Sequence, residues 1–226
     1  MISVRILAIS ILWAVLSAPL LCAEDLSRYR EFQFGMNLLA VVKQAEMKPS
    51  DAKVIHQRPA VIQELEWQLR RVPGPSTEKD PVQGILFSFY NGELFRMVVN
   101  YDRYRTEGLT TEDVIEAISA TYGTAGRPAA EIVFPSTYNE NVKVLARWED
   151  SQYSLNLVRS SYNPSFGMVV YSKRLDALAQ AAITEAIRMD VNEAPQRAIE
   201  RDQKQEAEIR VQQERTRLVN KPGFRP

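Results

Sequence analysis

The stretch Ile85-Leu86-Phe87-Ser88-Phe89-Tyr90-Asn91-Gly92-Glu93-Leu94-Phe95-Arg96-Met97-Val98-Val99 sets two aromatic and β-branched runs on either side of Asn-Gly. Asn and Gly tolerate the positive φ angles of a type I′ turn, so the stretch reads as a β-hairpin. Counted outward from that turn, Phe89 pairs with Leu94, Phe87 with Arg96 and Ile85 with Val98 on one face. Leu86, Phe95 and Met97 fall on the other. Both faces are partly apolar, and the pattern leaves the core side open.

On the N-terminal side, Asn37 caps a helical pattern through Leu38, Leu39, Val41, Val42 and Ala45, stopped by Pro49 and Ser50. Lys53 to His56 and Val61 to Leu69 read as strands separated by Arg58-Pro59, and Pro73-Gly74-Pro75-Ser76 reads as a loop. Glu24 to Gln33 is a polar lead-in. On the C-terminal side, Thr110 caps a second helix whose apolar stripe is Val114, Ile115, Ile118 and Tyr122. Glu112 and Asp113 sit near its positive pole and Gly123 ends it. Four strand-like segments follow: Glu131 to Phe134, Val142 to Trp148, Tyr153 to Arg159 and Phe166 to Tyr171. Short turns between them favour an antiparallel meander. The expected fold is α+β: an antiparallel sheet of meanders and hairpins, two helices packed on it and a long C-terminal helix.

From Leu175 the pattern is helical to the end. Leu175, Leu178, Ala179, Ala182, Ile183, Ala186 and Ile187 form a stripe suited to docking. Asn192 and Pro195 predict a break or a fresh start. Beyond them Gln, Glu and Arg dominate, with Glu193–Arg197, Glu200–Lys204 and Glu206–Arg210 as four-residue ion pairs, each about 0.3 kcal/mol. The predicted organisation is 1–23 as a signal peptide, 24–173 as the α+β domain, 174–192 as the docking helix and 193–226 as a charged tail, helical or partly disordered.

The signal is read from Arg5, the apolar run Ile6 to Leu16, the break at Ser17-Ala18-Pro19 and the small residue Ala23. The run is shorter than the roughly 20 apolar residues of a membrane-spanning helix. The expected location is therefore periplasmic or secreted. Cys22 offers a second reading as a lipidated residue, although Leu21 stands where lipoprotein signals carry a small residue. Cleavage after Ala23 leaves a chain without cysteine, stabilised by its core alone.

With 28 basic and 28 acidic residues the chain has no net field to draw nucleic acid or an anionic membrane. His56 is the sole histidine and no Gly-x-Ser-x-Gly elbow is present, so a histidine triad and a structural zinc site lack their parts. Ser50-Asp51-Ala52-Lys53 and Ser76-Thr77-Glu78-Lys79 match Ser-x-x-Lys without its companion motifs. No glycine loop fits a phosphate, and no cofactor, metal or catalytic residue is expected. Tyr101, Asp102, Arg103, Tyr104 and Arg105 form the most site-like cluster, suited to contact with a partner, with a solvated loop as the plainer reading.

Phe34-Gly35-Met36 followed by helix and strands, then Thr110 to Gly123 followed by strands, resembles the tandem unit of β-lactamase-inhibitor-type proteins and of small bacterial outer-membrane assembly lipoproteins. The resemblance covers about Phe32 to Tyr171; the second unit lacks the Phe-Gly-Met turn, and the inhibitors' disulfides are absent. It implies a binding module that presents a surface to another protein, and it carries over no functional residue. The expected function is that of an exported, non-enzymatic module for an envelope or secreted protein. A small carboxylate-based glycan hydrolase and a subunit that self-associates through its tail are the alternatives.

Overall fold

The computed structural model describes residues 25–68, 80–126, 142–160, 165–223 and 225. In chain order the elements are strands β1 (Arg28–Tyr29) and β2 (Phe32–Gln33), helix α1 (Leu38–Gln44), strands β3 (Lys53–His56), β4 (Ile62–Gln68), β5 (Val82–Tyr90) and β6 (Glu93–Tyr101), helix α2 (Thr111–Tyr122), strands β7 (Val142–Glu149), β8 (Tyr153–Ser160) and β9 (Phe166–Ser172), and helix α3 (Lys173–Asn220). The predicted segments Glu131 to Phe134, Pro73 to Ser76 and Ser76 to Lys79, and the leader with Cys22, lie outside the described residues.

The fold is α+β. Strands β3 to β9 form one antiparallel sheet of seven in the order β3-β4-β5-β6-β9-β8-β7. Two meanders, each preceded by a capped helix, therefore meet through their last strands, β6 and β9. Val41 and Val42 of α1 and Val114 of α2 share one core cluster, so both helices cover the same face of the sheet. α3 packs on the opposite face, where Leu175 and Ala179 meet Ile62 and Phe95.

The helix caps act as their residues predict, whereas α1 ends at Gln44, ahead of the expected stop at Pro49 and Ser50, because Glu46 takes a left-handed conformation at φ +53°. Asn37 Oδ1 accepts from the Ala40 amide at 2.9 Å. Thr110 and Asp113 bond reciprocally, side chain to amide, in a capping box, and Gly123 closes α2 at φ +73°. Trp148, buried beneath α2, donates from Nε1 to the Gly123 carbonyl at 2.8 Å and ties that helix end to β7.

The hairpin turn is type I′ as expected, with φ of +48° at Asn91 and +84° at Gly92. Phe89 pairs with Leu94, but the register then slips: Ser88 pairs with Arg96, Phe87 with Met97 and Ile85 with Val99. The expected pairs Phe87–Arg96 and Ile85–Val98 are thus corrected, because Phe95 is an extra residue on β6, a β-bulge. Leu94, Met97 and Val99 consequently join Ile85, Phe87 and Phe89 in the core under α1 and α2. Phe95 turns to the other face and packs in the α3 cluster. Burial of side chains such as Phe87, Leu94 and Met97 contributes about 1.5–3 kcal/mol each.

Two further expectations are corrected. The polar lead-in contains the β1–β2 hairpin, with Leu26 and Tyr29 in the main core and Phe32 packed 4.6 Å from Phe87. Asn192 and Pro195 do not break the C-terminal helix, which runs from Lys173 to Asn220 without interruption.

Gly167 in β9 lies so close to β6 that an added Cβ would stand 2.9 Å from the Val99 carbonyl oxygen, a backbone atom. At Gly126 the nearest atom to such a Cβ is 3.5 Å away, an ordinary contact. Gly167→Ala is expected to cost about 2 kcal/mol through overpacking at the junction of the meanders. Gly126→Ala should stay within about 0.5 kcal/mol. Urea unfolding midpoints read both.

Candidate interaction site

The cluster singled out in the sequence divides between interior and surface. Tyr101 ends β6 and is buried, its hydroxyl donating to Met168 Sδ at 3.1 Å. Since that proton is committed, Tyr29 Oη donates to Tyr101 Oη across 3.3 Å. Burial holds the Tyr101 phenol well above its ordinary range and raises those of Tyr29 and Tyr122. These phenols stay neutral at physiological pH and carry no nucleophilic charge. Beside them Arg30 makes a bidentate pair with Asp80, at 2.6 and 2.7 Å, clamping the β1–β2 turn to the start of β5.

Asp102 is occupied with its own loop. Its Oδ1 accepts from the amides of Tyr104 at 2.8 Å and Arg105 at 3.3 Å, and its amide donates to the Pro81 carbonyl at 2.7 Å. That is an Asx-type turn. Arg103, Tyr104 and Arg105 are carried outward on it, Tyr104 at 73% exposure. The structure therefore keeps Tyr101 apart from the exposed residues that follow it.

His56 sits half-buried at the end of the edge strand β3, paired across the ladder with Ile62. Asp51, within the first Ser-x-x-Lys match, accepts from the Lys48 amide at 2.9 Å in a short turn. Among the described residues, no group of three or more His, Cys, Asp or Glu side chains could hold a metal ion.

The feature that stands apart is α3. Leu175, Ala179, Ala182 and Ala186 are buried and Ile183 is partly so, at spacings that keep one narrow stripe on the sheet. Small alanines let the helix lie close. Leu178 and Ile187, expected in that stripe, are 43% and 54% exposed, because they fall to either side of it. Arg96, turned to this face beside the bulge, donates to Asp176 Oδ1 from Nε at 2.9 Å and from its terminal nitrogen at 2.5 Å. Both side chains are about 15% exposed. Burial raises the Asp176 carboxyl above its ordinary value even though Arg96 pulls it down, and burial likewise raises neighbouring Glu64. The ion pair fixes the first turn of α3 against the sheet at a desolvation cost.

A second tie lies farther along. Glu193 accepts from Arg58, in the loop between β3 and β4, and from Arg197 at 2.7 Å. Arg197 also reaches Asp190 at 3.0 Å. Pro195 removes one helical hydrogen bond and crowds the preceding turn. The Arg197 contacts cross that point, joining the turn after Pro195 to the turns before it. Beyond it the helix leaves the domain: every residue from Arg201 to Gly223 is exposed. Among the described residues no helix is long and apolar enough to cross a membrane.

No family model, curated protein or solved structure matches the chain.

Asp176→Ala should destabilise the protein by about 3 kcal/mol, since it leaves the Arg96 charge buried and unpaired. The double change Arg96→Met with Asp176→Leu should cost far less, and denaturant unfolding of the three proteins measures the difference. The Glu193 carboxyl, held by Arg58 and Arg197, is lowered from its ordinary 4.5 to about 2. A lowered carboxylate stabilises the folded form above its unfolded pKa, and that contribution is lost as pH falls. The tie to Arg58 should therefore hold above about pH 4.5 and fail progressively towards pH 2. Carbon-detected NMR titration should place the Glu193 midpoint in that low range, and Arg58→Ala should move it upward.

Proposed function

We propose that the chain is an exported, non-enzymatic binding module whose contact element is the free part of α3. The observation that carries this reading is the division of that helix. About four turns are docked and clamped by Arg96–Asp176, whereas the residues after Ile187 extend for about 50 Å of helix contour with almost no burial. A helix with so little tertiary contact gains only a few tenths of a kcal/mol from each of its side-chain ion pairs. Its length serves reach rather than the stability of the domain.

The two capped helices and two meanders give this helix a rigid base. Export is supported by the composition of Met1 to Ala23, a basic start, a short apolar run and a small-residue exit. The exposed Arg103, Tyr104 and Arg105 supply a second surface on which an envelope or secreted protein could rest, since Arg and Tyr are favoured at interfaces.

Affinity capture from an envelope extract should recover a protein with the full chain and lose it when the residues after Asn192 are removed. Equal recovery by both baits would overturn the role given to α3 and leave the domain surface as the contact.

A further inference from the structure

We infer that the free part of α3 pairs antiparallel with the same segment of a second copy of this chain, across Ile199 to Leu218. This rests on the reading of α3 as a contact element and names its partner. The argument begins with charge. From Ile199 to Glu208 there are four acids, Glu200, Asp202, Glu206 and Glu208, against Arg201 and Lys204, a net charge of −2. From Ile209 to Leu218 there are three bases, Arg210, Arg215 and Arg217, against Glu214, a net charge of +2. A chain neutral as a whole thus carries two adjoining blocks of opposite sign, equal in length and magnitude. The basic block suits the negative pole of its own helix, but that effect fades within one turn. It gives no reason for an acidic block several turns earlier.

An antiparallel second copy does. A two-fold axis between Glu208 and Ile209 lays each acidic block on the partner's basic block, whereas a parallel copy sets like against like. The register is marked by one stripe: Ile199, Gln203, Ala207, Arg210, Glu214 and Leu218. Its spacings of four, four, three, four and four read the same in both directions, and at 100° per residue all six fall on one side of the helix. About the two-fold, Ile199 meets Leu218, Gln203 meets Glu214, and Ala207 leaves room for Arg210. Glu200 and Arg217 flank the stripe opposite one another. Ile199 and Leu218 are 52% and 60% exposed in the single chain, so both apolar ends are available. Within the segment, Arg210–Glu206 at 3.8 Å and Arg217–Glu214 at 2.6 Å are the described ion pairs. Two such pairs are a slender support for a helix this long in water, and a second helix adds what the domain does not supply.

The test uses the full chain carrying Cys22→Ser, which removes its native thiol. Under mild oxidation a mixture of Ile199→Cys and Leu218→Cys chains should give the mixed disulfide dimer as the main product. Neither variant alone should link efficiently. Efficient linking of Ile199→Cys to itself would indicate a parallel pair and overturn the inference, as would the absence of any link. Independently, Glu200→Arg or Arg217→Glu alone should weaken the dimer about tenfold in sedimentation, and the two together should restore it. Failure of the double change to restore association overturns the assigned register. A chain that sediments as a monomer at every concentration, yet loses its captured protein when cut after Asn192, overturns self-pairing and leaves the binding role standing.

Discussion

Phe95 is the residue on which the architecture turns. A strand of strict alternation can offer alternate side chains to one core only, with the others left for whatever covers the second face. By adding one residue, the bulge sends Leu94 and Met97 inward to α1 and α2 while Phe95 and Arg96 both serve α3. The apolar seat and the charged clamp of the C-terminal helix are therefore made at one place. Without the bulge, Arg96 would fall on the same face as Leu94, and a guanidinium would have to be buried in the main core.

The hairpin tip is held from outside as well. Gly35, at φ +84°, donates its amide to the Leu94 carbonyl at 2.8 Å, and the Leu94 amide donates to Met36 at 2.8 Å. Asn91 exchanges backbone and side-chain bonds with Val61, at 2.8 and 2.9 Å. The Phe-Gly-Met turn thus brings α1 onto the tip, its glycine adopting a left-handed conformation that a side chain would strain. The turn at Asn91-Gly92 organises three chain segments as well as joining two strands.

Much of the fold was legible because local chemistry decided it. Asn37, Thr110 and Asp113 cap their helices through bonds within a few residues, and Asn-Gly fixes its turn from its own φ angles. The bulge was hidden because both faces of β6 are apolar, so a slip of one residue leaves the pattern equally plausible. β1 and β2 escaped because two-residue strands carry no periodicity, and Tyr29 is buried by distant partners. Pro195 misled for a different reason: the helix continues through it, and Arg197 reaches back across it to Asp190 and Glu193. The candidate loop shows the same limit. Its exposed Arg103 and Tyr104 were predictable from composition, whereas the burial of Tyr101 against Tyr29 and Met168 depends on residues far away in sequence.

The anchoring of α3 near one end has a mechanical consequence. A stiff rod gripped at one end behaves as a lever: a tilt of about 6° at the Arg96–Asp176 clamp would carry the far end of α3, about 65 Å of helix away, through about 7 Å. The torque returned by a load at the tip falls on that same clamp and on the alanine seat beneath it. Arg58 and Glu193 brace the lever part-way along its length, so releasing that brace would lengthen the swinging arm without unfolding anything.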